Sequence, residues 1–213
     1  MKSVLIIGMG EFGKHLAYRL RETKADICII DKDKDLINVL AEDFENAYVG
    51  DCSQDVVIRD IGVNSFDVCV VAVGDDFQAS LEITSKLKER KAKYIIAKSA
   101  SDLQSKFLRM AGADETVYPE KDIASKIAIK CNANNLLDVF EISEDYSVFE
   151  IGVKDEWVGR ALVDTDIRKK HNLNVIAVKN DGKIIVPTAR YVFKRDDTLF
   201  VFGKSSSAAK ISK

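Results

Sequence analysis

Residues 3–31, S-V-L-I-I-G-M-G-E-F-G-K-H-L-A-Y-R-L-R-E-T-K-A-D-I-C-I-I-D, decide the fold of this chain. A short run of apolar, mostly β-branched residues comes first and predicts a strand over residues 3–7. A glycine-rich turn at residues 8–13 follows at once, and apolar residues then recur at helical spacing. A second apolar run, residues 27–30, ends on Asp31. The predicted order is therefore strand, glycine turn, helix, strand and acidic residue.

A βαβ unit that binds a dinucleotide has this order of elements. Gly8 allows a tight turn at the end of the strand, and Gly10 lets a diphosphate approach the backbone. Gly13 lets the helix pack closely on the sheet. The free N–H groups and the positive dipole end of the helix then face the phosphates. Asp31, at the end of the second strand, can accept hydrogen bonds from a ribose diol.

The composition indicates a globular protein of one large or two small domains. The chain has 213 residues, of which 46% are hydrophobic and 31% charged. A net charge of −2 offers no basic surface for nucleic acid. No apolar run approaches the roughly 18–20 residues that span a bilayer, and no signal peptide precedes the first strand. We therefore expect a cytoplasmic protein without direct membrane insertion, whose four cysteines suit a reducing compartment.

Strand and helix patterns alternate up to residue 118, which predicts a doubly wound α/β domain with a mostly parallel Rossmann sheet. The expected strand order is 3-2-1-4-5-6. Ligands of such sheets bind at the carboxyl ends of the strands. Besides the glycine turn, these ends are Asp31-Lys32, Asp51-Cys52, Ala72-Val73-Gly74 and Lys98. A helix at residues 120–134 leads out of this domain, and we place the domain boundary at residue 134.

A smaller α+β domain is predicted for residues 135–213. Residues 139–142 and 147–153 alternate with period two, as antiparallel strands do. A charged helix is predicted at residues 160–171. Two further runs flank Asp181-Gly182, a pair that favours a hairpin with a type I′ turn. A last strand at residues 198–202 and a weak helix at residues 204–213 complete the prediction.

The sequence lacks the residues that hydride-transfer or hydrolytic chemistry would require. His15 and His171 each lie in a predicted surface helix, and neither belongs to a recognisable catalytic triad. The nucleotide is therefore expected to act as a signal. Lys98 can contact a phosphate or a base of the ligand, or it can be a solvated lysine at the strand end. Asp51 can reach the adenosine, or it can stabilise the turn that follows. Glu120 either complements a helix dipole or holds a cation that bridges to phosphates.

Three segments together resemble one family. They are G-M-G-E-F-G with Asp31, the strand V-C-V-V-A-V-G-D-D at residues 68–76, and G-A-D-E-T-V-Y-P-E-K-D at residues 112–122. With the hairpin-bearing second domain, they resemble the RCK (KTN, TrkA/KtrA-like) proteins, which are cytosolic regulatory subunits of Trk/Ktr-type potassium transporters. The resemblance covers nearly the whole chain.

The resemblance implies partners and ligands. Such subunits form homodimers through the helix that follows P-E-K-D, and the dimers build an octameric ring beneath a membrane-embedded potassium transporter subunit. NAD(H), ATP or ADP binds the first domain and changes the shape of the ring. The nucleotide-site residues carried over by position are Gly8, Met9, Gly10, Glu11, Phe12, Gly13, Asp31, Lys32, Asp51, Cys52, Ala72, Val73, Gly74, Lys98 and Glu120.

The resemblance also implies a second ligand, cyclic di-AMP, in the C-terminal domain. The matching residues are Ile167, Arg168, Asn174, Val175, Ile176 and Pro187. They offer an arginine for a phosphate, an asparagine for a base, and apolar walls. An amphipathic helix beside a hairpin is the alternative explanation of these residues.

Glu11 departs from the family pattern, because many Ktr-type regulators carry an arginine there that reaches the γ-phosphate. A glutamate repels a triphosphate unless a cation intervenes. Our hypothesis is that Glu11, with or without Glu120, recruits a divalent cation or favours less charged ligands such as NAD(H) or AMP.

Two other classes of protein fit the sequence less well. A nicotinamide-dependent oxidoreductase would need acid–base residues near the cofactor, and these are missing from the sequence. A redox-sensing repressor would need a helix-turn-helix or a basic face, and the sequence has neither.

Overall fold

The computed structural model describes residues 1–74, 76–131, 136–143 and 145–207. The chain forms two compact units, Met1–Glu120 and Lys121–Lys213, and each is described by itself. The predicted boundary at residue 134 stays a prediction. Within the described residues, no helix is long and apolar enough to cross a membrane.

The first unit is a parallel six-stranded sheet with helices between its strands. The strands are β1 Ser3–Ile7, β2 Asp26–Asp31, β3 Asn46–Val49, β4 Val68–Val71, β5 Ile95–Lys98 and β6 Glu115–Val117. The helices are α1 Glu11–Arg21, α2 Lys34–Leu40, α3 Asp55–Ile61, α4 Phe77–Glu89 and α5 Asp102–Ala111. The next helix, α6, spans Pro119–Cys131 and so crosses from the first unit to the second. The strand order β3-β2-β1-β4-β5-β6 confirms the predicted Rossmann topology.

Both faces of this sheet are covered. Alternate residues of β1 point to opposite sides, so Leu5 and Ile7 join one hydrophobic cluster while Val4 and Ile6 join another. Leu5 and Ile6 are fully buried. Burial on both faces explains why the strands read as continuous apolar runs in the sequence.

Polar side chains start the helices at the carboxyl edge of the sheet. Asp33 Oδ1 accepts hydrogen bonds from the backbone N–H of Asp35 at 2.9 Å and of Leu36 at 3.1 Å, which caps α2. Asp76 caps α4 in the same way, through the backbone N–H of Ala79 at 3.0 Å. These caps place the helix N-termini beside the strand ends where a ligand would bind.

The second unit is built on an antiparallel sheet. Its strands are β7 Leu136–Glu141, β8 Tyr146–Gly152, β9 Asn174–Asn180, β10 Lys183–Ile185 and β11 Thr198–Lys204, in the order β10-β9-β11-β8-β7. The core contains Trp157, Phe149 and Phe193. Asp181 and Gly182 have φ values of 47° and 76°, so the predicted type I′ hairpin turn is confirmed.

The predicted helix at residues 160–171 is wrong. A 3₁₀ turn at Leu162–Asp164 and the helix α7, Ile167–His171, replace it. Thr165 Oγ1 donates to the carbonyl of Leu162 at 2.7 Å, and Asp166 adopts a left-handed φ of 54°, so the chain turns and the helix restarts. A weak helix is also predicted at 204–213. In the structure Lys204 ends β11 and Ser205–Ser207 form a 3₁₀ turn. Residues 208–213 lie outside the described part of the chain.

Candidate functional site

A cleft of about 370 Å³ lies at the carboxyl edge of the parallel sheet. It opens where the strand order reverses between β1 and β4, the point at which doubly wound sheets bind their ligands. Nine of the predicted site residues line it together: Gly8, Gly10, Asp31, Lys32, Asp51, Cys52, Ala72, Val73 and Gly74.

The glycine turn at the cleft is shaped by steric limits. Gly8 has a φ of 95°, in the region that side chains disfavour. A Cβ on Gly13 would overlap the carbonyl oxygen of Gly8, so α1 packs against the turn only because Gly13 has none. Around Gly10, in contrast, no described heavy atom lies within 4 Å of the Cβ position. Gly10 is also the N-cap of α1 and supplies no side-chain cap, which leaves the first helical N–H groups for a ligand.

Asp31 joins the end of β2 to the glycine turn. Its Oδ2 accepts a hydrogen bond from the backbone N–H of Met9 at 2.6 Å, and its Oδ1 accepts one from Asp33 N–H at 2.9 Å. Each carboxylate oxygen keeps a lone pair for a further donor, such as a ribose hydroxyl. The side chain of Met9 is fully buried, so this predicted residue contributes through its backbone.

Asp51 organises the turn after β3. Its Oδ1 accepts the backbone N–H of Ser53 at 2.9 Å. Hydrogen bonds from the Ser53 side chain and backbone, together with the charge of Lys32, hold the pKa of Asp51 below its usual range. The structure thus gives Asp51 the turn role, and the ionised carboxylate still lines the cleft.

Lys98 and Glu120 form an ion pair at the end of β5. Lys98 Nζ lies 2.9 Å from Glu120 Oε1 and 5.9 Å from the centre of the Phe12 ring. The Lys98 side chain is only 17% exposed, so it is not a freely solvated lysine. The same atom lies 3.2 Å from the Cβ position of Gly74. The hydrogen bond from Lys98 lowers the pKa of Glu120, which keeps the carboxylate ionised.

Glu11 is compensated by its own helix. Its side chain is 80% exposed, pairs with Lys14, and lies 3.8 Å from His15 Nε2. The hydrogen bond from Lys14 lowers the pKa of Glu11. Part of the repulsion expected between Glu11 and a triphosphate is therefore offset by Lys14.

A metal site within one chain finds no support among the described residues, which contain no group of three or more His, Cys, Asp or Glu able to hold an ion. Glu11 and Glu120 each pair with a lysine instead. These carboxylates fit a cation only where ligand phosphates supply further oxygens.

Cys52 lines the cleft as a buried thiol. It is 3% exposed, and burial raises its pKa to about 12. Its thiol is therefore protonated at neutral pH, which makes it a poor nucleophile.

Sequence reasoning missed several residues of the cleft: Ile7, Ile30, Asp33, Leu36, Gly50, Asp76, Ala79 and Ile83. Asp33 and Asp76 could have been found, because each stands just after a strand and before a helix, where a capping side chain is expected. The apolar residues carry no such signal.

A second cavity, of about 400 Å³, lies in the C-terminal unit. Four of the residues predicted there line it: Ile167, Arg168, Asn174 and Val175. Ile176 is 43% exposed, and neither it nor Pro187 is part of this lining.

Comparison with known families assigns the chain. The TrkA-N domain model matches residues 4–119, and the TrkA-C domain model matches residues 147–213. This chain is a TrkA-N/TrkA-C protein. The family predicted from the sequence is thereby confirmed.

Two relatives of this TrkA-N/TrkA-C protein match over nearly their whole lengths. The Ktr system potassium uptake protein C of Bacillus subtilis is 35% identical over 213 residues, which cover 100% of this chain and 96% of that protein. The Ktr system potassium uptake protein A of the same organism is 27% identical over 203 residues, covering 95% of this chain and 91% of that protein.

Solved structures share the fold at low sequence identity. The GsuK RCK domain superposes with a TM-score of 0.69 at 19% identity, covering 99% of this chain and 47% of that one. The GsuK channel bound to NAD gives a TM-score of 0.69 at 18% identity, and the match covers 98% of this chain and 38% of that one. The TrkA-N/TrkA-C protein therefore has the RCK fold.

Proposed function

We propose that this chain is a cytoplasmic, nucleotide-binding regulatory subunit of a potassium uptake transporter. Similarity to the Ktr system proteins C and A over nearly their full lengths supports the transport role. The observation that carries nucleotide binding is the cleft at the strand-order reversal, where the open N-terminus of α1 and the carboxylate of Asp31 face the same space.

The nucleotide is held in three parts. Its phosphates lie against the backbone at Gly10, where no described atom fills the space. Its ribose donates to Asp31, whose carboxylate is already oriented by two backbone N–H groups. Its adenosine end lies between Asp51-Cys52 and Ala72-Val73-Gly74. Lys98 lies beside Gly74 on the adenosine side, and it pairs with Glu120.

The ligand acts as a signal. A nucleotide that binds one arrangement of the assembly more tightly shifts the population toward that arrangement, and so biases transporter gating. ATP, ADP and NAD(H) are the candidate ligands. The GsuK channel that shares this fold has been solved bound to NAD.

Glu11 and Glu120 set the preference among these ligands. A triphosphate brings negative charge close to both carboxylates. Within one chain, Lys14 and His15 lie beside Glu11, and Lys98 pairs with Glu120. A divalent cation bound to the phosphates would take one or both carboxylates as ligands. Without it, the less charged NAD(H) or AMP is favoured.

Self-association completes the proposed assembly. Ile123 and Ile127 lie one helical turn apart on α6 and are 55% and 54% exposed. On α5, Leu103 and Met110 are 63% and 72% exposed. Exposed apolar pairs at helical spacing are typical of interfaces. We place a homodimer on α6 and the further contacts of an octameric ring on other faces, with a membrane-embedded transporter subunit as partner.

The C-terminal cavity takes a second nucleotide. Arg168 offers a bidentate donor for a phosphate, Asn174 offers an amide for a base edge, and Ile167 and Val175 supply apolar walls. We assign cyclic di-AMP to this cavity. Ile176 and Pro187 lie outside its lining in a single chain, so they take part only if a second copy extends the pocket.

The alternative function, an NAD-dependent oxidoreductase, is less well supported by the titratable groups of the cleft, most of which already hold the turns around it. Among the described lining residues, the titratable groups are Asp31, Lys32, Asp33, Asp51, Cys52 and Asp76. Asp31, Asp33, Asp51 and Asp76 accept backbone hydrogen bonds, and the Cys52 thiol is protonated. A hydride-transfer assay over a panel of alcohols and hydroxy acids should therefore give no turnover.

Calorimetric titration of the purified chain with ATP, ADP and NAD, each with and without Mg²⁺, tests the proposal. We expect saturable binding of at least one nucleotide, and ATP binding that strengthens when Mg²⁺ is added. Tight ATP binding without Mg²⁺ would contradict the role of Glu11. Absence of binding by all three ligands would contradict the nucleotide site itself.

A further inference from the structure

A second groove lies on the same sheet face as the nucleotide cleft, at the opposite ends of the strands. Its volume is about 680 Å³. We call it the β2–β3 groove, and its lining residues are Ser3, Asp26, Cys28, Ile30, Asn46, Tyr48, Val49, Val57, Asp60, Ile61, Ser65 and Phe66. Ile30 lines both the groove and the cleft.

The groove exists because α3 is too short for the strands that it covers. Its seven residues span about 10 Å, whereas the six residues of β2 span about 20 Å. Val57 packs over the carboxyl half, where its Cγ1 lies 2.9 Å from the Cβ position of Gly50. Gly62, with a φ of 66°, then ends α3 and turns the chain toward β4. The groove lies beside this short helix. Asp26, Tyr48 and Val49 are exposed there, whereas Cys28 and Ile30 are buried at its floor.

The floor of the groove follows from strand register. Asp26, Cys28 and Ile30 alternate along β2 and so share one face. On β3, Asn46 pairs with Cys28 and Tyr48 pairs with Ile30. The floor thus runs from a polar end at Asp26 to an apolar end at Ile30.

The walls and floor combine apolar and acidic character. Val57, Ile61 and Phe66 pack against the hydrophobic cluster that contains Cys28 and Ile30. Asp26 and Asp60 are the charged members of the lining, which holds no Lys, Arg or His among the described residues. Asp60 accepts from Arg59 Nε at 3.0 Å, which offsets part of its charge. The hydrogen bond that the neutral amide of Asn46 donates to Asp26 is long, at 3.4 Å.

From this charge and shape, we propose that the β2–β3 groove binds a small organic cation with an apolar, ring-sized body. The ammonium group pairs with Asp26 at the polar end, with Asp60 across the groove. The body lies against Tyr48, which is 50% exposed, and the half-buried Ile61 and Phe66, over the buried Cys28 and Ile30. A groove of this volume is within the range of small-molecule sites. The proposal does not depend on nucleotide binding, because Ile30 is the one described residue in both linings and its side chain is only 2% exposed.

Three probes with one body and different charges test the proposal on the full chain: 2-phenylethylammonium, 2-phenylethanol and phenylacetate. Saturation-transfer NMR titrations give the dissociation constant of each. We expect the cation to bind about tenfold more tightly than the alcohol, because the alcohol cannot form a charge-assisted pair with Asp26. The anion should bind most weakly, because Asp26 repels it.

Two variants locate the binding site. Asp26→Asn should remove the preference for the cation and leave the alcohol unchanged. Asn46→Phe should weaken binding of the cation and the alcohol at least tenfold, because it fills the floor with a residue that suits a strand. Glu42→Gln, which removes an exposed carboxylate after α2, is the matched charge control and should change nothing.

Thermal melting of each variant establishes that it is folded before its titration is interpreted. Equal affinities for the three probes, or a cation preference that survives Asp26→Asn, would overturn the proposal. So would the absence of any saturation signal at the solubility limit of the probes.

Discussion

At the level of single residues, Gly10 and Gly13 of the glycine turn are required for different reasons. A Cβ at Gly13 would overlap the carbonyl oxygen of Gly8, whereas a Cβ at Gly10 would meet no described atom within 4 Å. Gly13 is therefore required by the fold, and Gly10 by the ligand that approaches α1. Substitution separates these two requirements.

Gly10→Ala should fold normally and bind nucleotide poorly. Because the new methyl group enters open space, we expect the free energy of unfolding to change by no more than about 0.5 kcal/mol. The same methyl group occupies the position proposed for the phosphates, so the affinity for the tightest nucleotide found by calorimetry should fall at least about tenfold.

Gly13→Ala is the comparison. It should destabilise the chain by about 1–3 kcal/mol or more, since the backbone must shift to admit the methyl group. Urea unfolding measures the stability of both variants. Unchanged nucleotide affinity in the Gly10→Ala variant would contradict the placement of the phosphates.

At the level of elements, Asp67 ties the start of β4 to the start of β1. Its Oδ2 accepts the backbone N–H of Ser3 at 3.0 Å, and Lys93 Nζ lies 2.8 Å from its Oδ1. The hydrogen bond from Lys93, with that from Ser3 N–H, lowers the pKa of Asp67 to about 2. Ser3 and Asp67, which this hydrogen bond joins, are 64 residues apart in the sequence.

The stability that Asp67 contributes should depend on pH. Its folded pKa lies below the unfolded value of about 3.9, so the contribution is fully present above that value and is lost as the pH falls toward about 2. The urea midpoint of Asp67→Asn should thus lie below that of the parent chain at pH 6, and the gap should narrow on acidification. Glu42→Gln should show no such narrowing. A gap that stays constant between pH 6 and pH 2 would rule out this role.

In the C-terminal unit, the Asp197 carboxylate likewise connects two elements through hydrogen bonds. It is 2% exposed and accepts from Asn180 Nδ2 at 2.7 Å, Tyr191 Oη at 2.9 Å and Lys194 N–H at 2.8 Å. Burial, followed by the hydrogen bond to Asp197, raises the pKa of Tyr191 to about 12. A buried carboxylate with three donors joins the end of β9 to the turn before β11.

Asp197→Ala should cost about 2–3 kcal/mol, because three donors, on the half-buried Asn180 and Tyr191 and on the backbone of Lys194, lose their buried acceptor. The single tryptophan of the chain, Trp157, lies in the same core and reports unfolding of this unit by its fluorescence in urea. Asp196→Ala is the matched control, since its neighbouring side chain is exposed, and it should change the stability by less than about 0.5 kcal/mol. Equal effects of the two substitutions would contradict the network.

At the level of the whole molecule, the exposed apolar residues of α6 predict self-association. The double substitution Ile123→Glu with Ile127→Glu places two charges in the proposed dimer interface, and should lower the assembly mass measured by light scattering. Val39→Glu serves as control, because Val39 is 67% exposed on α2 and outside that surface. An unchanged mass in the double variant would exclude α6 from the interface.

How far the fold could be predicted depends on the range of the interactions. The apolar runs, the glycine turn and Asp181-Gly182 carry local signals, since periodicity and left-handed turn residues act within a few positions. Charge periodicity does not predict the break in the expected helix at 160–171, because a hydrogen bond of Thr165 and the backbone angle of Asp166 cause it.

The candidate site divides in the same way. Gly8, Gly10 and Asp31 were found from the order of elements alone, and the structure brings them to one cleft. The pairing of Lys98 with Glu120 was not predicted, because it joins the end of β5 to the start of α6 across the sheet edge. Nor did any pattern reveal that Asp31 receives the N–H of Met9.

The sequence by itself determined the two-domain pattern, the parallel and antiparallel sheets, and the glycine turn with its acidic partner. Local periodicity and special backbone angles carry that information. The tertiary structure alone decided which charges pair, which residues face the cleft from other strands, and that a short α3 leaves the β2–β3 groove open. Those features depend on sheet register and helix length in three dimensions, which bring together residues that the chain keeps far apart.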